Sequence, residues 1–238
     1  MTIGHLRYQG SLRKRVMTIK QRAISHDEKQ ERREAILDAA VKLLLSDDYH
    51  DISIASVARK AGLAKGTIFL YFKTKEELFL QLQVRGYQSW FKHINRRLKR
   101  LSQQKQKTNV QEFADNIMAS LKDNPVLTRL TPILHVILER NIDYKTALDF
   151  KRFLLHEIIV TGRLIEQCFS FLRKNDGARF LLYFQVLLIG LIQMSQPAPT
   201  VKQVIEEERM EMFQMDFEEK LSEMMVLLLK GMKATNRV

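Results

Sequence analysis

The spacing of apolar positions makes this chain helical almost throughout. From Asp27 the residues Ile36, Leu37, Ala40, Val41, Leu44 and Leu45 form one apolar stripe, opposite a face carrying Lys29, Glu31, Arg32, Arg33, Asp38 and Lys42. The polar run Ser46-Asp47-Asp48 ends this first helix. Ser53 is placed to cap a short second helix with Ile54, Val57, Ala58 and Ala61 on one face. Gly62 ends it, because glycine takes the left-handed conformation after a helix without steric cost. Leu63 and Ala64 complete a tight turn before a third short helix, Lys65 to Phe72. Thr74-Lys75-Glu76-Glu77 has the spacing of a capping box and opens a long fourth helix with the stripe Leu78, Leu82, Tyr87, Trp90, Phe91, Ile94, Leu98 and Leu101. Further helices are expected near 109–123, 125–140, 143–174, 176–195 and 215–234, with Pro125 as a first helical residue and a kink or break at Pro132. Residues 197–210 read as a connection with at most a short helix.

Composition agrees with an all-α fold. The chain has 238 residues, 45% apolar, with only nine Gly and four Pro, too few turn formers for a sandwich or barrel. Its one cysteine, Cys168, excludes an intrachain disulfide and a multi-cysteine metal site, and at helical spacing from apolar neighbours it reads as a buried thiol. The most apolar run, Leu181 to Ile192, is shorter than the ~20 residues that span a bilayer, so no membrane partner is expected. The N-terminus has no secretory apolar core, which suits a cytoplasmic protein.

The net charge of +12 changes the picture once it is located. Residues 1–107 hold 23 Lys and Arg against 10 Asp and Glu, whereas 108–238 hold 16 against 17. A positive field confined to one end is the footprint of a polyanion partner, nucleic acid or an anionic membrane surface. The expected organisation is a basic flexible arm over 1–26, in which Met17 could be the true start, a helix-turn-helix domain over 27–74, and a helical regulatory and dimerisation domain over 75–238. No enzyme constellation emerges. None of the six histidines sits in His-Glu-x-x-His, no Glu-x-x-His occurs, and no phosphate-cradling glycine loop or Gly-x-Ser-x-Gly is present, so no cofactor, metal or catalytic residue is assigned.

Two short helices joined by a Gly-containing turn form a unit whose second helix fits the major groove of double-stranded DNA. Ile68 and Phe72, four residues apart, anchor that helix and leave Lys65, Gly66, Thr67, Phe69, Leu70 and Tyr71 wholly or partly outward. Apolar side chains there can touch thymine methyls, and the Thr67 and Tyr71 hydroxyls can donate to phosphates. The Ser53 and Ile54 amides and Lys75 suit phosphate anchoring at helix N-termini. The whole run from Ser53 to Leu78, SIASVARKAGLAKGTIFLYFKTKEEL, resembles the DNA-binding signature of the TetR family of bacterial transcriptional regulators. The resemblance implies an all-helical homodimer on a pseudo-palindromic operator, usually a repressor. It puts Lys65, Gly66 and Leu70 at bases and Ser53, Thr67, Tyr71 and Lys75 at phosphates. The family often has Ser at Ala64 and Tyr at Phe69, so a hydroxyl contact is missing at each.

The remaining residues exceed what DNA reading needs. Trp90, Phe91, Phe113, Met118, Leu134, His135, Phe150, Phe153 and Leu154 are candidates to line a cavity for a small apolar or amphipathic inducer, though such a stripe also suits ordinary core. By the family resemblance the last two long helices pair with their symmetry mates, through Leu181, Leu188, Leu191, Phe217, Leu221, Met224 and Leu228. A TetR-like activator, a ligand-independent regulator, a helical enzyme and a basic membrane-surface module are the alternatives, and neither of the last two explains residues 53–78.

Overall fold

The computed structural model describes residues 27–103 and 108–236, and among them every regular element is a helix. The proposed arm over 1–26 lies outside the described residues. The chain divides into two compact units, 1–73 and 74–238.

In the first unit α1 spans 27–46, α2 Ile54–Ala61 and α3 Lys65–Ile68. Ile36, Leu37, Ala40 and Leu44 of α1 are buried, as are Val57 and Ala58 of α2 and Ile68 and Phe72. The apolar stripe of α1 is narrower than its sequence suggests, since Leu45 is exposed. Ser53 and Ser56 close a reciprocal cap, each hydroxyl accepting from the other's amide at 3.0 Å. Gly62 ends α2 in the left-handed region, φ 68°. The third helix is shorter than predicted: after Ile68 the chain continues as hydrogen-bonded turns, with the Tyr71 and Phe72 amides both donating to the Ile68 carbonyl. Those turns still bury Phe72, whose ring carries the Arg33 guanidinium at 5.1 Å.

The second unit contains α4 (Lys75–Ser102), α5 (Val110–Lys122), α6 (Pro125–Leu130), α7 (Tyr144–Cys168), α8 (Asp176–Ser195), α9 (Pro199–Glu207) and α10 (Phe217–Thr235). Pro132 changes the type of helix rather than stopping it. A 3-10 turn, Thr131–Ile133, is followed by a π-helical turn, Leu134–Leu138. α7 stops at Cys168, six residues before the predicted end. Phe169 turns extended (φ −135°, ψ 111°), which buries its ring edge-on against Phe113 at 5.3 Å. Burial pushes the Cys168 thiol up to about 11. α8 is 20 residues long and apolar enough, by length and composition, to cross a membrane, which corrects the expectation drawn from the run 181–192. Here it is a core helix along one side, with Phe180, Phe184, Leu188 and Leu191 buried.

α7 and α8 touch through backbone. A Cβ on Gly162 would meet the Ala178 nitrogen at 2.6 Å, and one on Gly177 would fall on the Gly162 carbonyl, so both positions require glycine. The start of α8 is also tied to the end of α10. Asp176, almost fully buried, accepts from the Arg173 amide and the Asn236 side chain and pairs with Arg179 at 2.8 Å. Burial opposes its charge, but these donors and the two guanidinium groups hold its carboxyl below the ordinary carboxylate value.

Two outcomes follow for stability. Gly162→Ala forces the helices apart and should cost about 1–3 kcal/mol in denaturant unfolding. Asp176→Asn should cost about 1–3 kcal/mol at pH 7. Because the folded carboxyl titrates below the unfolded one, its contribution is present above about pH 4 and is lost as pH falls further, so the deficit should shrink in unfolding curves at pH 3.

Candidate functional site

The reading surface of the first unit is made by what its core leaves out. Ile68 and Phe72 point inward, so Phe69 and Leu70 between them must point outward, and they are 46% and 76% exposed. Lys65 and Gly66 are exposed on the same short segment, and Thr67 and Tyr71 are half-buried at its flank. Two exposed apolar side chains beside a lysine and a glycine form a surface that fits base edges and thymine methyls. At the start of α2, where Ser53 and Ile54 are the candidates for phosphate anchoring, the Ser53 amide donates to Ser56 Oγ at 3.0 Å. Lys75 lies in the second unit, in the first turn of α4, with its ammonium 5.9 Å over the Phe79 ring.

The second unit encloses a cavity of about 290 Å³, at the low end of small-molecule sites. Of the nine residues proposed for it from sequence, Trp90, Phe91, Leu134, His135 and Leu154 line it. The other four lie elsewhere. Phe113 is core, packed edge-on against Phe169 and Phe180, and Met118 is buried without reaching the space. Phe150 packs against Tyr87 at 6.4 Å behind the wall, and Phe153 is half-buried away from it. Tyr87, Lys151, Ile158, Phe184 and Gln185 are walls that sequence reading missed. Lys151 and Leu154, on one face of α7 at i and i+3, were the available signal for a charged group in an apolar lining. The Tyr87 hydroxyl donates to Gln185 Oε1 at 3.3 Å, and burial raises its pKa above the ordinary phenol value. Trp90 donates to Ser120 Oγ at 2.8 Å, which fixes its indole at the wall.

The residues proposed for dimer pairing divide. Leu181, Leu188, Leu191 and Leu221 are buried within the single chain, and Leu181 and Leu188 face the cavity, so these four are not available as a subunit face. Phe217, Met224 and Leu228 are half-buried. The outward apolar positions that do not line the cavity are instead Tyr183, Val186 and Met194 on α8 and Leu227 on α10. Between these helices α9 and the 3-10 turn Glu211–Phe213 bury none of their residues and expose Val201, Val204, Met212 and Phe213. Among the described residues no group of three or more His, Cys, Asp or Glu could hold a metal ion.

Comparison with known proteins accounts for both units. Residues 36–82 match the family model described as bacterial regulatory proteins, tetR family, and residues 84–236 match the one described as tetracyclin repressor-like, C-terminal domain. The chain belongs to the TetR family. The fatty acid metabolism regulator protein of Bacillus subtilis (strain 168) is 45% identical over 47 residues, 20% of this chain and 24% of that protein. The HTH-type transcriptional repressor KstR of Rhodococcus jostii (strain RHA1) is 29% identical over 105 residues, 44% of this chain and 48% of that protein. The chain thus spans less than half the length of either relative. Among solved structures, the fatty acid degradation regulator FadR from Bacillus halodurans has the same fold at 18% identity and a TM-score of 0.50, with 84% of this chain and 95% of that one covered. By their names these proteins are regulators, and KstR is an HTH-type transcriptional repressor.

Proposed function

We propose that this chain is a ligand-responsive transcriptional repressor that reads a pseudo-palindromic operator in double-stranded DNA as a homodimer and is released by a small apolar or amphipathic inducer. The observation that carries the reading is the outward pair Phe69 and Leu70 beside Lys65 and Gly66, held by the buried Ile68 and Phe72. Lys65, Gly66 and Leu70 read bases, and Phe69 adds apolar contact. Ser53, Ile54, Thr67, Tyr71 and Lys75 contact phosphates. The outward stripe of α8, the α9 segment and α10 are continuous in sequence, and a second copy of the chain is the partner that the family architecture supports for them. A cytoplasmic location is the setting for such a regulator.

The inducer enters the cavity of the second unit. An apolar lining suits an acyl chain, and the name of the Bacillus subtilis relative concerns fatty acid metabolism. The π-helical turn that supplies Leu134 and His135 to the wall runs on to Asn141, whose carbonyl accepts from the Thr74 hydroxyl at 3.1 Å. Thr74 also caps α4 through the Glu77 amide and directly follows the reading head in the chain. Occupancy that shifts this segment is passed to the start of α4 and alters the spacing of the two heads, which must match half-sites about 34–36 Å apart or a multiple of it.

Selection of genomic fragments on the purified protein should return an inverted repeat. A monomer that is indifferent to base order at moderate salt sinks the proposal. Lys65→Ala should flatten sequence preference, whereas Lys75→Ala should weaken all sequences alike and lower the salt slope by about one.

A further inference from the structure

The polar groups of the cavity occupy two distinct settings. Tyr87 and Gln185 are paired with each other on the inside. His135 and Lys151 are half-exposed, as are Leu155 and Leu182, so these four mark the opening. Behind the opening stands Glu139, only 20% exposed and not itself part of the lining. Its Oε1 accepts from the Lys151 ammonium at 2.7 Å, and its Oε2 lies 3.2 Å from His135 Nδ1.

One carboxylate therefore fixes the Lys151 ammonium and the His135 imidazole at the rim of an apolar hole. Each Glu139 oxygen already has a partner and Glu139 is not part of the lining, whereas the Lys151 ammonium has two further donors and His135 keeps its Nε2. The lining that remains charged toward an entering molecule is positive. A cationic head group would be repelled by the Lys151 ammonium, which lines the opening while Glu139 stands behind it, and a neutral one would leave the free ammonium donors to water.

We propose that the cavity takes an amphiphile with a single anionic head group, the head held by Lys151 and His135 at the opening and the apolar chain running inward past Trp90, Leu134 and Phe184. This rests on the reading of the cavity as the effector site and adds the chemistry of its ligand. Glu139 acts as a positioning residue, holding the two donors without touching the ligand. A carboxylate and a phosphate monoester share the required head-group chemistry, and a fatty acid and a phosphorylated lipid are its two sources.

Trp90 is the chain's one tryptophan and lines the cavity, so its fluorescence reports occupancy. Decanoate, decyl phosphate and decanol are titrated into the full-length protein. The anions are expected to bind roughly tenfold or more tightly than decanol, and the tighter of the two identifies the source. In Lys151→Met, which keeps the apolar stem, the preference of anion over alcohol should fall to within about threefold. Equal binding of decanol and the anions, or a preference that survives Lys151→Met, overturns the head-group assignment while leaving the cavity reading intact. No binding of any of the three, by fluorescence and by calorimetry, overturns the cavity reading as well. The operator experiments on Lys65 do not depend on either result.

Discussion

The second unit depends on one contact, the backbone approach of Gly162 to Gly177. With no side chain on either residue, α7 and α8 close to a distance that any Cβ would prevent. The consequence lies along the two helices. Every α7 residue that lines the cavity, from Lys151 to Ile158, stands four to eleven residues before Gly162. Every α8 residue that lines it, from Leu181 to Leu188, stands four to eleven residues after Gly177. At 1.5 Å per residue, both walls lie roughly 6–16 Å from the same point of contact. Two antiparallel helices pinned at one end enclose a space between their far stretches, and the pin sets its width. Asp176, next to Gly177, ties that same end to Asn236 of α10.

What the sequence carried was what local chemistry decides. Ser53 and Thr74 accept from amides three residues on, and Gly62 sits at a positive φ, because caps and turns need only their own neighbours. The reading head was legible for the same reason, since its buried Ile68 and Phe72 and its outward Leu70 follow from one short helix and its turns. The segment 169–175 was not legible. It has no proline, and what ends α7 is the burial of Phe169 against Phe113, more than fifty residues away in sequence.

The second unit's surfaces were read less well because α8 is apolar on nearly all sides. Periodicity cannot say which of its leucines meets α7, which meets the cavity and which meets solvent. Leu181 and Leu188 are as apolar as Leu182 and Val186, and only tertiary contact separates the buried pair from the exposed one. Two signals in the chain pointed further than the periodicity did. A glycine in the interior of a long helix costs about 1 kcal/mol against alanine, so Gly162 asked for a packing partner. Lys151 on a helix of otherwise apolar wall residues asked for a counter-charge, and Glu139 answers it across the bend at 131–143.

Rigid and pliable walls meet in this cavity, and that difference bears on how a ligand could be felt. The α7 and α8 walls are held by backbone contact at Gly162 and Gly177 and by the ties of Asp176. The rest of the lining comes from Tyr87, Trp90 and Phe91 of α4, from Leu121 and Leu127, and from Leu134 and His135 in a 3-10 turn running into a π turn, whose hydrogen bonds depart from the regular α ladder on both sides of Pro132. A ligand shifts an equilibrium only by binding its two states unequally. Under the proposed effector reading, the irregular stretch is the part of the lining least held by regular helical hydrogen bonds. That stretch also carries His135 and Glu139 and leads within a few residues to the Asn141 carbonyl that receives the Thr74 hydroxyl. The lining residues Leu134 and His135 and the residue that caps the helix following the reading head are therefore joined by a short piece of chain with the least regular backbone in the unit's described helices.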